Sequence, residues 1–136
     1  MKDGVQKIFR EHVHTVETQT GLTLPPLVKI YVAELLAYYI DKPDEIAPEL
    51  GYTIRVNEIQ DSFTAKHLGD ELLWVTGVFG QHRKRYGIPI DYFHQLGASA
   101  YRRTHSEVLH IIADGFPIVS NFVSKATRDC LPELDL

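Results

Sequence analysis

Apolar side chains recur at three- and four-residue spacing along most of the chain, and that rhythm predicts helices. Val5, Ile8, Phe9, His12, Val13 and Val16 form one stripe of a first helix over residues 3–18, with Asp3 as its cap and Gly21 as its stop. The other side, with Lys7, Arg10, Glu11 and Glu17, is expected to face water. Pro25 and Pro26 open a second helix, because a first-turn residue needs no N–H. Its expected core face is Leu27, Ile30, Tyr31, Leu35, Tyr38 and Tyr39, while Val28, Val32 and Leu36 widen the apolar arc. An arc that broad implies burial on two sides, in the centre of a bundle or against another subunit, the centre being preferred.

Asp41-Lys42-Pro43-Asp44 reads as a turn, with a short helix from Pro43 to Leu50 and a break at Gly51. Tyr52, Ile54, Val56, Ile59 and Phe63 begin in alternation and then turn helical, giving a brief extended entry and a helix over residues 55–67. An edge strand there would have no partner. Asp70, just after Gly69, is expected as the N-cap or first-turn acid of the next helix, which buries Leu72, Leu73, Val75, Thr76 and Phe79. Gly77 inside that helix implies close backbone approach, and Gly80 ends it. A helix over residues 90–104 carries Tyr92, Phe93, Leu96, Gly97, Ala100 and Tyr101, and its small residues admit a close neighbour. The last pattern runs from Val108 to Ala126, capped by Thr104 or Ser106. It keeps phase across Gly115 and Pro117, so a kinked helix or two abutting ones are expected near Pro117, followed by an extended tail over Leu131–Leu136. The fold class is all-α: one domain over residues 1–136, a bundle of about six helices.

Composition adds limits. At 136 residues, 44% hydrophobic and 24% charged, the chain suits one folded domain. Residues 1–71 hold twelve acidic against seven basic side chains, and residues 72–136 six against seven. That asymmetry could align subunits but is too small for a duplex nucleic-acid face. The single cysteine, Cys130, rules out an internal disulfide framework and a multi-thiolate metal site. The first residues lack an apolar signal-peptide core, and Leu27–Ile40 is too short and too charged to span a bilayer. The resulting expectation is a cytoplasmic protein with no membrane partner.

Candidate chemistry is sparse. Glu107, His110 and Asp114 share one helix face, and Glu-x-x-His is the unit of carboxylate-bridged metal bundles. Such a site needs a second Glu-x-x-His, for which no candidate is assigned, and two further glutamates, where mid-helix carboxylates are few; a mononuclear site would recruit His94 or His105. The competing reading is a solvated face with an ordinary His–Asp pair. Tyr92, His94, Tyr101 and His105, with Tyr86, could line a small pocket beside Gly97, or pack as rings with wet polar tips. Trp74, Gly97 and Ala100 are candidates for a subunit interface. His82-Arg83-Lys84-Arg85 with Arg102 and Arg103 is a basic cluster without any recognised nucleic-acid motif, which argues against that partner. Asp70 is expected to pair with Arg83 or Arg85. Ser106 or Ser120 could be joined on paper to a His and an Asp, but no nucleophile-elbow sequence accompanies either.

The stretches LVKIYVAELLAYYI (Leu27–Ile40), Gly69-Asp70-Glu71-Leu72-Leu73, Gly77-Val78-Phe79, Tyr92, Leu96-Gly97 and Ala100-Tyr101, continuing more weakly through Ile112–Val123, resemble a set of small all-helical bacterial proteins. The resemblance covers about three quarters of the chain and implies a helical fold. It carries no activity, ligand, cofactor or catalytic residue. The reading of the whole is a non-catalytic, homo-oligomeric structural or protein-interaction module that self-associates. The rival is a small-molecule or divalent-metal-binding protein, conceivably an enzyme, using His94, His105, His110 and Asp114. No cofactor is called for.

Overall fold

A computed structural model describes residues 2–40, 52–79, 84–85 and 88–130. The expected turn and short helix at Asp41–Leu50, the residues at Gly80–Arg83 and Tyr86, the tail, and the side chains of Val5 and Cys130 lie outside the described parts. The elements are α1 (Lys2–Thr20), α2 (Pro26–Tyr39), α3 (Tyr52–Asn57), α4 (Ser62–Phe79), β1 (Lys84–Arg85), β2 (Ile88–Pro89), α5 (Ile90–Arg102), α6 (Glu107–Asp114) and α7 (Phe116–Cys130). The all-α class holds, with one small addition. β1 and β2 form a two-residue antiparallel ladder, Lys84 opposite Pro89 and Arg85 opposite Ile88, which the sequence pattern did not predict.

Local signals account for several ends. α1 stops where Gly21 takes φ +74, a left-handed conformation that a side chain would resist. Ser106 caps α6 by accepting from the Leu109 N–H at 3.3 Å. Only Gly115 separates α6 from α7, so the apolar phase carries across two abutting helices. Pro117 sits in the first turn of α7, where the missing N–H costs no helix bond.

The boundary expected at Gly69 is wrong. Asp61 starts α4 instead: its carboxylate accepts the Thr64 N–H at 2.7 Å and the Thr64 hydroxyl at 3.0 Å, which holds its pKa below the ordinary carboxylate value. The expected helix over residues 55–67 is therefore two pieces, α3 and the start of α4. Gly69 and Asp70 fall in mid-helix. Glu17 departs from expectation too. It is buried, accepts the Leu24 N–H at 2.7 Å and meets Lys29 at 3.2 Å, stapling the α1–α2 connection.

The core centres on α4, α5 and α7, with the α1–α2 pair packed across them. Each pair of those three helices meets at a glycine. A Cβ on Gly69 of α4 would fall inside the Tyr101 ring of α5, and one on Gly97 of α5 inside the Phe116 ring of α7. A Cβ on Gly77 of α4 would lie 2.8 Å from the Cβ of Val123 on α7. These glycines are notches cut for a neighbour, and the contacts they allow are dispersion contacts at core density. On α2 the expected face holds at Leu35 and Tyr39 and fails at Leu27, Ile30 and Tyr38, which are exposed, while Val28, Val32, Ala33 and Leu36 complete the buried side.

A methyl group at Gly97 must displace Phe116, so Gly97→Ala is expected to cost about 1–3 kcal/mol of stability. Gly115 has no heavy atom within 4 Å of an added Cβ. Gly115→Ala should therefore stay within about 0.5 kcal/mol of the parent. Paired urea titrations measure the difference, and equal midpoints for the two variants would refute the notch.

Candidate functional site

Two polar clusters lie inside the apolar core, both anchored on α4. In the first, Asp70 is buried, and one of its carboxylate oxygens receives the Tyr31 hydroxyl of α2 and the Tyr101 hydroxyl of α5, the latter at 2.7 Å. Its other oxygen meets the Lys66 Nζ at 2.8 Å, one helical turn earlier. Lys66 also lies over the Tyr31 ring, 5.7 Å from its centroid. Gly69 makes this possible, because the Tyr101 ring occupies the space a side chain there would take. A buried carboxylate with three charge-assisted bonds is a satisfied structural group. Burial first and the Asp70 charge second push the Tyr31 and Tyr101 hydroxyls well above the ordinary tyrosine pKa. The expected pairing of Asp70 with Arg83 or Arg85 gives way to these partners; Arg83 and the Arg85 side chain lie outside the described residues.

In the second cluster the Ser120 hydroxyl donates to Thr76 Oγ1 at 2.8 Å, and Thr76 donates to the Leu72 carbonyl at 2.8 Å. His94 Nε2 stands 3.2 Å from Ser120 Oγ. The direction of this line is fixed at its end, because a carbonyl can only accept. Ser120 has given its proton to Thr76, so His94 donates from Nε2 and its Nδ1 carries the free lone pair. That Nδ1 is buried and has no hydrogen-bond partner among the described residues. Burial lowers the His94 pKa, with Asp91 pulling it the other way, which favours the neutral ring. The cluster forms part of a cavity of about 470 Å³ between the start of α5 and α7. Asp91, Asn121, Ser124 and Arg128 contribute to its walls, with Leu22, Ile90 and Ile118 as apolar surface.

Ser120, His94 and Asp91 thus come together, as the paper triad would ask, but in the wrong protonation order. A general base must accept the serine proton and be steadied by a carboxylate at Nδ1. Here His94 donates to Ser120, and Nδ1 has no partner. The arrangement lacks the protonation order of an activated nucleophile.

The four residues proposed for a pocket separate. His94 lines the cavity, Tyr92 bonds the Thr53 hydroxyl at 2.8 Å, Tyr101 is consumed by Asp70, and His105 is exposed with its backbone N–H on Ser62. Trp74, Gly97 and Ala100 are all buried within the chain, Trp74 stacked on Tyr39 at 5.4 Å, so none presents a surface to a second subunit. The Trp74 indole N–H finds no acceptor among the described residues. His110 meets the Thr104 carbonyl at 2.7 Å, and Asp114 lies 3.7 Å from Arg102 rather than forming a His–Asp pair. A further Glu-x-x-His, Glu11 to His14, passed over in the sequence, is exposed on α1, with His14 near Glu17 at 3.8 Å. Among the described residues no group of three His, Cys, Asp or Glu side chains is placed to hold a metal. Of the basic cluster, Arg103 binds the Val56 carbonyl and Arg102 the Asp114 carboxylate. No helix among the described residues is long and apolar enough to cross a membrane.

No family model, curated protein or solved structure matches the chain.

Tyr101→Phe removes one bond to a buried charge and is expected to cost about 1.5–3 kcal/mol. The pH dependence follows from the raised tyrosines. In the unfolded chain they ionise near pH 10, while the folded ones resist. Their stabilising contribution is complete below about pH 10 and is lost as pH rises beyond it. Urea midpoints should fall between about pH 9 and about pH 11, less steeply in a Tyr31→Phe/Tyr101→Phe double variant. An equal fall in both proteins would refute the assignment.

Proposed function

We propose that the chain is a cytoplasmic, non-catalytic module that assembles with copies of itself through the outward face of α2. The observation that carries the reading is the exposure of Leu27 (60%) and Ile30 (45%), continued by Tyr38 (53%), on a helix whose other face is fully buried. The three fall on one stripe, broken only by the exposed Glu34. Leu27 and Tyr38 lie about three turns and roughly 16 Å apart along the helix. A two-fold axis near the middle of α2 would set each copy's Leu27 over the other copy's Tyr38 ring, with Ile30 and Glu34 of both copies flanking the axis. Such a self-complementary contact is the usual form of a homodimer. The polar groups of the core support the non-catalytic half of the reading, since Asp70, Thr76 and Ser120 are bonded within the fold. Kinship with the small helical bacterial set belongs to the same proposal and adds no activity to it.

Light scattering over a concentration series is expected to give a dimer mass that dissociates on dilution. Leu27→Glu with Ile30→Glu should weaken association by about tenfold or more, with the helical circular dichroism unchanged. A monomer mass at every concentration, or a dimer indifferent to the double substitution, would remove the proposal.

A further inference from the structure

Around the cavity at His94, Asp91, Asn121 and Arg128 are exposed, Ser124 is buried, and the buried His94 Nδ1 has no hydrogen-bond partner among the described residues. Asp91, Asn121, Ser124 and Arg128 line one space of about 470 Å³, and none makes a side-chain hydrogen bond or ion pair with another described residue. Asp91 and Arg128 carry opposite charges in the same lining, on the first turn of α5 and the last turn of α7, yet no ion pair joins them. Opposite charges that share a cavity without meeting leave room for something between them. The floor is the His94–Ser120–Thr76 line, whose proton order is already closed. Leu22, Ile90 and Ile118 supply the apolar part of the wall. The volume falls in the range of small-ligand pockets, about 300–1,000 Å³.

The geometry points to a binding site for a small zwitterion, a free amino acid or short peptide with an aliphatic side chain. Its carboxylate meets Arg128, its ammonium meets Asp91, and its hydrocarbon lies against Leu22, Ile90 and Ile118. Asn121 and Ser124 offer the hydrogen bonds between the two charges. A simple anion would leave Asp91 facing it, and a simple cation would face Arg128; each is disfavoured by like charge. Both charged residues also suit the dipoles of their helices, but a dipole does not explain the buried, unpartnered His94 Nδ1 on the same wall. The inference is independent of the α2 interface and survives its failure.

The test follows amide and imidazole resonances of the full-length chain during titration with leucine and with leucyl-leucine. Shifts at Asp91, His94, Asn121 and Arg128 that saturate in roughly the millimolar range are expected. N-acetylleucine, without the ammonium, and leucinamide, without the carboxylate, should each bind about tenfold more weakly or worse. Arg128→Gln should abolish the preference for leucine over leucinamide, and Asp91→Asn the preference over N-acetylleucine. Both substituted residues are exposed, so the fold serves as its own control in the same spectra. Tighter binding of the dipeptide identifies short peptides as the ligand and the reverse identifies free amino acids; either supports the site. No shifts up to about 20 mM of either probe, or equal binding of N-acetylleucinamide, would overturn it.

Discussion

A single carboxylate that has to be buried, Asp70, constrains the arrangement of α2, α4 and α5. An unpaired charge in an apolar core costs several kcal/mol, so the fold exists only in registers that bring it donors. Tyr31 fixes the rotation of α2, Tyr101 that of α5, and Lys66 neutralises the charge from the same helix. Apolar packing tolerates many near-equivalent registers, whereas a hydroxyl must arrive within hydrogen-bonding distance. Gly69 is the steric half of the same device. Without its missing Cβ the Tyr101 ring could not lie against α4, and its hydroxyl could not reach the neighbouring carboxylate.

The Thr76–Ser120–His94 line ties α4 to α7 and α5 further along α4, and Gly77 again supplies the closeness by admitting Val123 beside it. The two clusters share a construction, a helical glycine next to a polar residue on the same helix, but differ in their ending. The Asp70 cluster is closed, with each carboxylate oxygen engaged. The Thr76 cluster opens through His94 onto a cavity whose other polar groups are idle. That contrast separates the two clusters: in the first every polar group is bonded within the fold, while in the second the buried His94 Nδ1 has no partner among the described residues.

What the sequence disclosed is explained by which signals are local. Helix existence was legible because the 3.6-residue rhythm repeats within one segment, and the Gly21 stop, the Ser106 cap and the α6–α7 junction all lie in a few consecutive residues. The orientation of α2 was not legible, because a helix apolar nearly all round carries little phase information. Gly69 and Asp70 were read as a break and a cap because that is their commonest local meaning. The residues that give them another meaning, Tyr31 and Tyr101, lie more than thirty positions away on either side. The true cap, Asp61 with Thr64, was a local signal overlooked beside the apolar pattern. The cavity was invisible for the same reason as the hub, since its walls come from α4, α5, α7 and the loop before α2.

The proton order in the His94 line bears on function more than the identity of its residues. Serine, histidine and aspartate in one cavity form a familiar catalytic set, yet chemistry depends on which atom holds the proton. Thr76 must donate to the Leu72 carbonyl, because that carbonyl has nothing to give. The serine proton therefore points toward Thr76 and away from the imidazole. To reverse the line, Thr76 would have to give up its hydroxyl bond to the Leu72 carbonyl, a net loss of about 0.5–1.5 kcal/mol, while that carbonyl keeps its helix bond. Asp91 does not engage Nδ1 to repay that cost. Thr76, itself part of the cavity lining, thus sets the proton order of the line and with it the hydrogen-bonding character of the His94 imidazole.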